Sequence, residues 1–363
     1  MRILFFLCLI TIAATCIQCH QRLSTQVDPY TRPKEIEGLT FVAPRRPFTT
    51  DSPMESVKKV GAEWIAIIPY AFTRPGEPKV HYDSNKQWWG EGKEGCEVTI
   101  ELAKAAGLKV MLKPQVWVPR GWTGDMDFEQ DSAWVSWEKD YRNYILPMAA
   151  IAEAQKVDLF CLGTEFKIAC RKRAPFWCQL IKDVRTVYKG KVTYAANWDE
   201  YLDIPFWKEL DYVGVNAYFP LINAPTPDVP SIVNGWKPVI EKMERLQSKV
   251  DRPIIFTEFG YLSVAGCTYN TWELEDKMHE LPLNEQAQAN AYEALFQAFW
   301  NKKWWQGGFV WKWFPETPDA QARGFRDYTP QGKIGTETLK KWYAKGVMEA
   351  EPTTSISNQN PEK

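Results

Sequence analysis

Short apolar stretches alternate with amphipathic ones along most of the chain, and that alternation limits the fold more than any other feature. "GLTFVAP" at 38–44 reads as a first strand. "DSPMESVKKVG" at 51–61 offers an Asp or Ser N-cap, a proline at the helix start and a closing glycine. "AEWIAIIPYAF" (62–72) reads as strand, "CEVTIELAKAAG" (96–107) as helix and "LKVMLKPQVWV" (108–118) as strand again. A helical pattern over 132–156 leads into the strand "VDLFCLGTEF", and a helical "FWCQLIKDVRTVYKG" precedes the strand "KVTYAANW" at 191–198. "LDYVGVNAYFP" (210–220), a helix over 232–250, "RPIIFTEFGY", a helix over 285–302, "GGFVWKW" (307–313) and a helix over 336–345 complete the series. Strand and helix in alternation predict a parallel sheet. Eight such strands within about 270 residues suit a single (β/α)8 TIM barrel, which takes about 250. A doubly wound open sheet would carry a glycine-rich phosphate loop after its first strand, and "VAPRRPFT" offers none.

No internal boundary interrupts the series, so residues 37–346 are expected to form one catalytic barrel. Residues 1–18 read as an export signal: Arg2, then an apolar stretch from Ile3 to Ile17. The stretch falls short of the roughly 20 residues a spanning helix needs. Small residues before Cys16 resemble a lipoprotein signal, with Ala13 where leucine is usual, so lipid attachment at Cys16 or Cys19 is the expected membrane tether. Residues 19–36 then read as a flexible tether and 347–363 as a disordered tail. The expected location is periplasmic or cell-surface, and the expected state a monomer.

The net charge of -1 gives no reason to expect nucleic acid as a partner. Three of the eight cysteines (Cys8, Cys16 and Cys19) lie in the N-terminal signal region. The rest are Cys96, Cys161, Cys170, Cys178 and Cys267, an odd number without a CxxC pair, of which Cys170 and Cys178 are the two close enough in sequence to bridge. His20, His81 and His279 are isolated, which argues against a zinc site or a Ser-His-Asp triad, and no metal or cofactor is expected.

Twice an oily strand ends in Thr-Glu-Phe: "FCLGTEF" at 160–166 and "IIFTEFGY" at 254–261. By the series above these are strands four and seven, and barrel active sites lie at the C-terminal strand ends. Glu165 and Glu258 can therefore face each other across the mouth. A carboxylate there is costly to bury without a partner, so the bland alternative is two structural carboxylates, each paired with Arg or Lys. The chemical reading is a carboxylate pair for glycoside hydrolysis, one group donating a proton and the other attacking the anomeric carbon or activating water. Trp117, Trp198, Tyr218, Trp311 and Trp313 fall at other strand ends, where flat sugar faces stack on aromatic rings, and Asn197 and Lys113 can bond hydroxyls.

The set "LKP" (112–114), "GTEF" (163–166), "TYAANW" (193–198), "TEFGY" (257–261) and "VWKW" (310–313) resembles clan A of the glycoside hydrolases, and within it family 113, the β-mannanases. The resemblance implies Glu165 as acid/base, Glu258 as nucleophile and retention of configuration. It also implies that Tyr218 bonds the nucleophile and that Trp311 floors the subsite of the cleaved sugar. Many clan members carry asparagine before the acid/base; here Thr164 stands, as in the mannanase family. The leading expectation is a retaining endo-β-1,4-mannanase acting on mannan and manno-oligosaccharides. Exo action or another β-linked hexosan are close variants. A glycan-binding surface lipoprotein on a hydrolase scaffold is the alternative of a different class, and both glutamates speak against it. A metal-dependent barrel hydrolase is disfavoured by the shortage of histidine, though Asp and Glu could ligate a hard cation.

Overall fold

The structure is a computed structural model that describes residues 34–50, 52–84, 87–315 and 325–344. The export signal, the proposed lipid sites, most of the tether and the tail lie outside the described residues. In chain order the strands are β1 (Ile36–Phe41), β2 (Trp64–Ile67), β3 (Tyr70–Phe72), β4 (Lys109–Leu112), β5 (Gln115–Trp117), β6 (Leu159–Thr164), β7 (Lys191–Asn197), β8 (Val213–Asn216), β9 (Ile254–Phe259) and β10 (Trp305–Trp313). Eight of them close into a ring in the order β1-β10-β9-β8-β7-β6-β4-β2, every neighbouring pair parallel. The fold is a (β/α)8 barrel.

The crossovers carry α1 (Glu55–Lys59), α2 (Lys93–Ala105), α3 (Asp131–Ala154), α4 (Lys167–Lys172), α5 (Ala174–Val187), α6 (Val229–Val250), α7 (Thr271–Glu275) and α8 (Glu285–Phe299), and α9 (Ile334–Tyr343) follows the last strand. Local chemistry fixes several ends. The Asp228 side chain caps α6 by accepting from the Ser231 amide at 2.7 Å, and Asn284 caps α8 through the Ala287 amide at 2.9 Å. Between β7 and β8 the only helical turn is a 3-10 turn at Trp207–Glu209.

The second and third expected strands are each split in two. Pro69 and Pro114 lack the N–H a ladder needs, so 62–72 and 108–118 leave the barrel after Ile67 and Leu112. They continue as a separate parallel pair, β3 with β5, in which Phe72 faces Trp117. This ribbon prolongs one side of the barrel mouth.

Alternate residues of the barrel strands fill its interior, among them Trp64, Ala66, Met111, Leu159, Ile255 and Phe309. Gly38 is required there, because a Cβ at that position would lie 2.5 Å from the Phe309 ring. A larger apolar layer between barrel and helices holds Trp137, Trp177, Trp236, Trp305 and Trp342. Trp313 belongs to this layer and not to the mouth where the sequence placed it: it is buried, and its indole donates to Ser56 Oγ at 3.0 Å. Cys170 and Cys178 are separate thiols, as are the other three described cysteines. Lys34 Nζ donates to the carbonyls of Lys302 and Trp305, so the chain is anchored just before β1 begins at Ile36.

Candidate active site

Glu258 sits near the end of β9 and is 5% exposed. Its Oε1 accepts from Lys113 Nζ in an ion pair and from Gln115 Nε2 at 3.0 Å. Its Oε2 accepts from the Tyr218 hydroxyl at 2.8 Å. Burial first, and the Glu258 charge second, push the Tyr218 phenol well above its ordinary value, so it remains a neutral donor. Lys113 and Gln115 flank Pro114, and residues two apart on an extended segment project to the same side. Lys113 is itself 0% exposed. The ammonium expected to bond sugar hydroxyls lies instead on the glutamate.

Glu165 follows β6, whose register against β7 shifts between Cys161 and Thr164. Its backbone is left-handed, with φ +57°, a conformation uncommon outside glycine, costing about 1–3 kcal/mol and concentrated at functional sites. Two bonds hold the turn: the Glu165 amide donates to Ala195 O at 2.8 Å, and the Phe166 amide donates to the Tyr194 hydroxyl at 2.6 Å. The Glu165 carboxylate accepts from Asn216 Nδ2 at 2.8 Å and from Trp122 Nε1 at 2.6 Å. Thr257 Oγ1 donates to Asn216 Oδ1 at 2.9 Å, which turns the amide nitrogen toward Glu165. Burial, and then the negative charge of Glu258, raise the Glu165 carboxyl above its usual range; Asn216, Trp122 and Lys113 pull the other way. One carboxylate therefore has an ammonium on it and the other has only neutral donors, the kind of contrast that separates acid from nucleophile.

Both glutamates line a cavity of about 190 Å³ together with Gln115, Thr164, Asn216 and Trp311. Both also line a wider one of about 740 Å³, walled by Trp122, Asn197, Trp198, Tyr218 and Trp272. A third space of about 630 Å³ runs along the β3–β5 ribbon past Phe72, Trp88 and Trp117 and meets the others at Trp311. Trp117 is 58% exposed there, and it also lines the small cavity that holds both carboxylates. Trp198 stacks on Trp272, ring centroids 5.1 Å apart. Asn197 binds its own turn, its Nδ2 donating to Asp199 Oδ1 at 3.0 Å and its amide to Glu200 Oε1 at 2.9 Å.

Trp122, Gln115, Asn216 and Trp272 were not anticipated. Asn216 lies two before Tyr218, and Gln115 two after Lys113, so strand alternation from an assigned residue would have found both. Trp122 and Trp272 sit in loops or short helical turns whose course no periodicity records.

The comparisons with known proteins agree with this geometry. The model of Glycoside Hydrolase Family 113 matches residues 40–333. A family 113 β-mannanase from Alicyclobacillus acidocaldarius, in complex with ManMIm, superposes with TM-score 0.75 at 25% identity, covering 87% of this chain and 99% of that one. A family 113 β-1,4-mannanase gives TM-score 0.72 at 27% identity, covering 85% and 99%. A β-glucuronidase from Ruminococcus gnavus, 16% identical and half covered, shares the fold with TM-score 0.60. No curated protein sequence gave a match. The chain is a member of glycoside hydrolase family 113 in clan A, and hence a glycoside hydrolase.

Proposed function

We propose that the enzyme is a retaining endo-β-1,4-mannanase in which Glu258 is the nucleophile and Glu165 the acid/base. The observation that carries this reading is the pair itself: two glutamates on one small cavity, in unlike environments. In the first step a Glu258 oxygen bonds to the anomeric carbon. The glycosidic bond breaks, and its oxygen leaves with the proton of Glu165. Glu258 is then an uncharged ester, so the repulsion that raised the Glu165 carboxyl disappears and Glu165 becomes a better base. It takes a proton from water, the water oxygen bonds to the anomeric carbon, and the ester bond to Glu258 breaks. Two displacements return the original configuration.

A polymeric β-1,4-mannan substrate is supported by the solved mannanases of the family that the chain resembles. Endo action is supported by cavity space on both sides of Trp311. The test is reducing-sugar release from β-1,4-mannan by the purified protein and by Glu165→Gln and Glu258→Gln. Cleavage by the parent with losses of about a thousandfold or more in each variant supports the roles. Release from another β-glycan but not from mannan would overturn the substrate. Mannan binding with no release at all would overturn the enzyme. Export and a lipid on Cys16 or Cys19 remain proposals from the sequence, tested by palmitate incorporation into the full chain and its loss on substituting those cysteines.

A further inference from the structure

We infer that Tyr194 and Glu200, neither of which lines the catalytic cavities, are positioning residues that hold Glu165 in its working conformation. The inference rests on Glu165 being the acid/base. The left-handed backbone at Glu165 turns the next amide, that of Phe166, into the protein interior, where Phe166 is fully buried. Its acceptor is the Tyr194 hydroxyl at 2.6 Å. Tyr194 is wedged among Trp177, Phe206 and Trp207 and has no freedom to follow a moving partner. Its hydroxyl reaches Glu200 Oε1 at 3.4 Å, beside Cys170. Glu200 Oε1 is fixed in turn by the Asn197 amide at 2.9 Å. Glu200 thereby ties the loop bearing Asn197 and Trp198 to the turn bearing Glu165.

The energetic argument concerns the turn. A buried amide without an acceptor is about as unfavourable as the strain of a left-handed non-glycine residue. Removing the Tyr194 oxygen leaves both unfavourable together. The chain relieves them by rotating the Glu165–Phe166 peptide, which swings the carboxylate away from Asn216 and Trp122. A packing role for Tyr194 would need only its ring, so Tyr194→Phe separates the two roles.

The experiment compares kcat/KM for two substrates in the parent, Tyr194→Phe, Glu200→Ala and Glu200→Gln. Mannohexaose has a leaving group that must be protonated. A 2,4-dinitrophenyl β-mannotrioside has one that leaves without a proton, so its first step does not need the acid. Positioning predicts a loss of about 10- to 100-fold on mannohexaose for Tyr194→Phe and Glu200→Ala, the scale of a misplaced acid. It predicts changes of less than about threefold on the activated substrate, and it predicts that Glu200→Gln, which keeps the acceptor oxygen, behaves like the parent. Equal losses on both substrates, or none on mannohexaose, would overturn the inference while leaving the function intact. A parent that cleaves neither substrate would overturn the function and the inference with it. Thermal unfolding of each variant identifies any that does not fold, and either Tyr194→Phe or Glu200→Ala alone decides the question.

Discussion

Replacing Asn216 with alanine should move the alkaline limb of the pH–rate profile upward. Asn216 Nδ2 donates to Glu165 Oε1 at 2.8 Å, and this is the largest influence opposing the burial and repulsion that raise the Glu165 carboxyl. The bond favours the ionised form, so its loss favours the protonated one. A hydrogen bond to a charged group contributes about 1.5–3 kcal/mol, and one pH unit corresponds to about 1.36 kcal/mol, giving an upper range of about 1–2 units. Trp122 still donates to the other oxygen, and water can enter the space that Asn216 vacates beside the cavity, so the lower end, about one unit, is expected. In the proposed mechanism the free enzyme holds the proton on Glu165, and kcat/KM reports free-enzyme ionisations. The alkaline limb of kcat/KM for mannohexaose should therefore shift up by about one unit. Thr257 Oγ1 also loses its acceptor, which should destabilise the fold by about 1–3 kcal/mol in denaturant unfolding. An alkaline limb that stays in place or moves down would refute both the assignment of the limb to Glu165 and the hydrogen-bond argument.

Lys113→Met leaves Glu258 buried without its counter-charge and should destabilise the protein by about 3–5 kcal/mol in denaturant unfolding; a loss below about 1 kcal/mol would mean that the ion pair is solvated. Tyr218→Phe removes the only hydroxyl on Glu258 Oε2 among the described hydrogen bonds. It should lower kcat/KM by about 10- to 100-fold with the fold intact, and an unchanged value would detach Tyr218 from catalysis. Burial pushes the Glu200 carboxyl from 4.5 up to about 8. Between those values unfolding releases a proton, so the parent loses stability as pH rises. Glu200→Gln cannot titrate, so its Tm advantage over the parent should widen from pH 5 to pH 8; a gap independent of pH would remove the buried-carboxyl argument.

The barrel was legible because packing dictates it: each strand must bury both faces and each helix one stripe, and both periods are visible in the residues. Glu165 and Glu258 were legible for a related reason, since a carboxylate closing an oily run is too costly to occur twice without a use. What the sequence hid depends on long-range geometry. Lys113 and Glu258 are 145 positions apart, and nothing local says that an ammonium after one strand will meet a carboxylate on another. The bland alternative, a glutamate paired with lysine, and the catalytic one turn out to be compatible at Glu258. Pro69 and Pro114 were visible but read as strand interior, so the split of two barrel strands into a barrel segment and a ribbon was missed, although Trp117 at the ribbon's end still lines a cavity with both glutamates. Trp311 and Trp313 share a strand whose register against β1 and β9 is irregular, so alternation could not tell that one lines the cleft and the other packs inside. The left-handed backbone of Glu165 has no sequence signature at all, because any residue after Gly-Thr could continue the strand.

The account assigns two displacements at one carbon, and the anomer first released by the protein is the direct consequence. Proton NMR of mannohexaose hydrolysis, recorded before the products mutarotate, resolves the two anomers of the new reducing end. The β anomer appearing first, with the α anomer following only at the rate of mutarotation, is the predicted result. The α anomer appearing first would mean a single displacement through water, and would contradict the role given to Glu258.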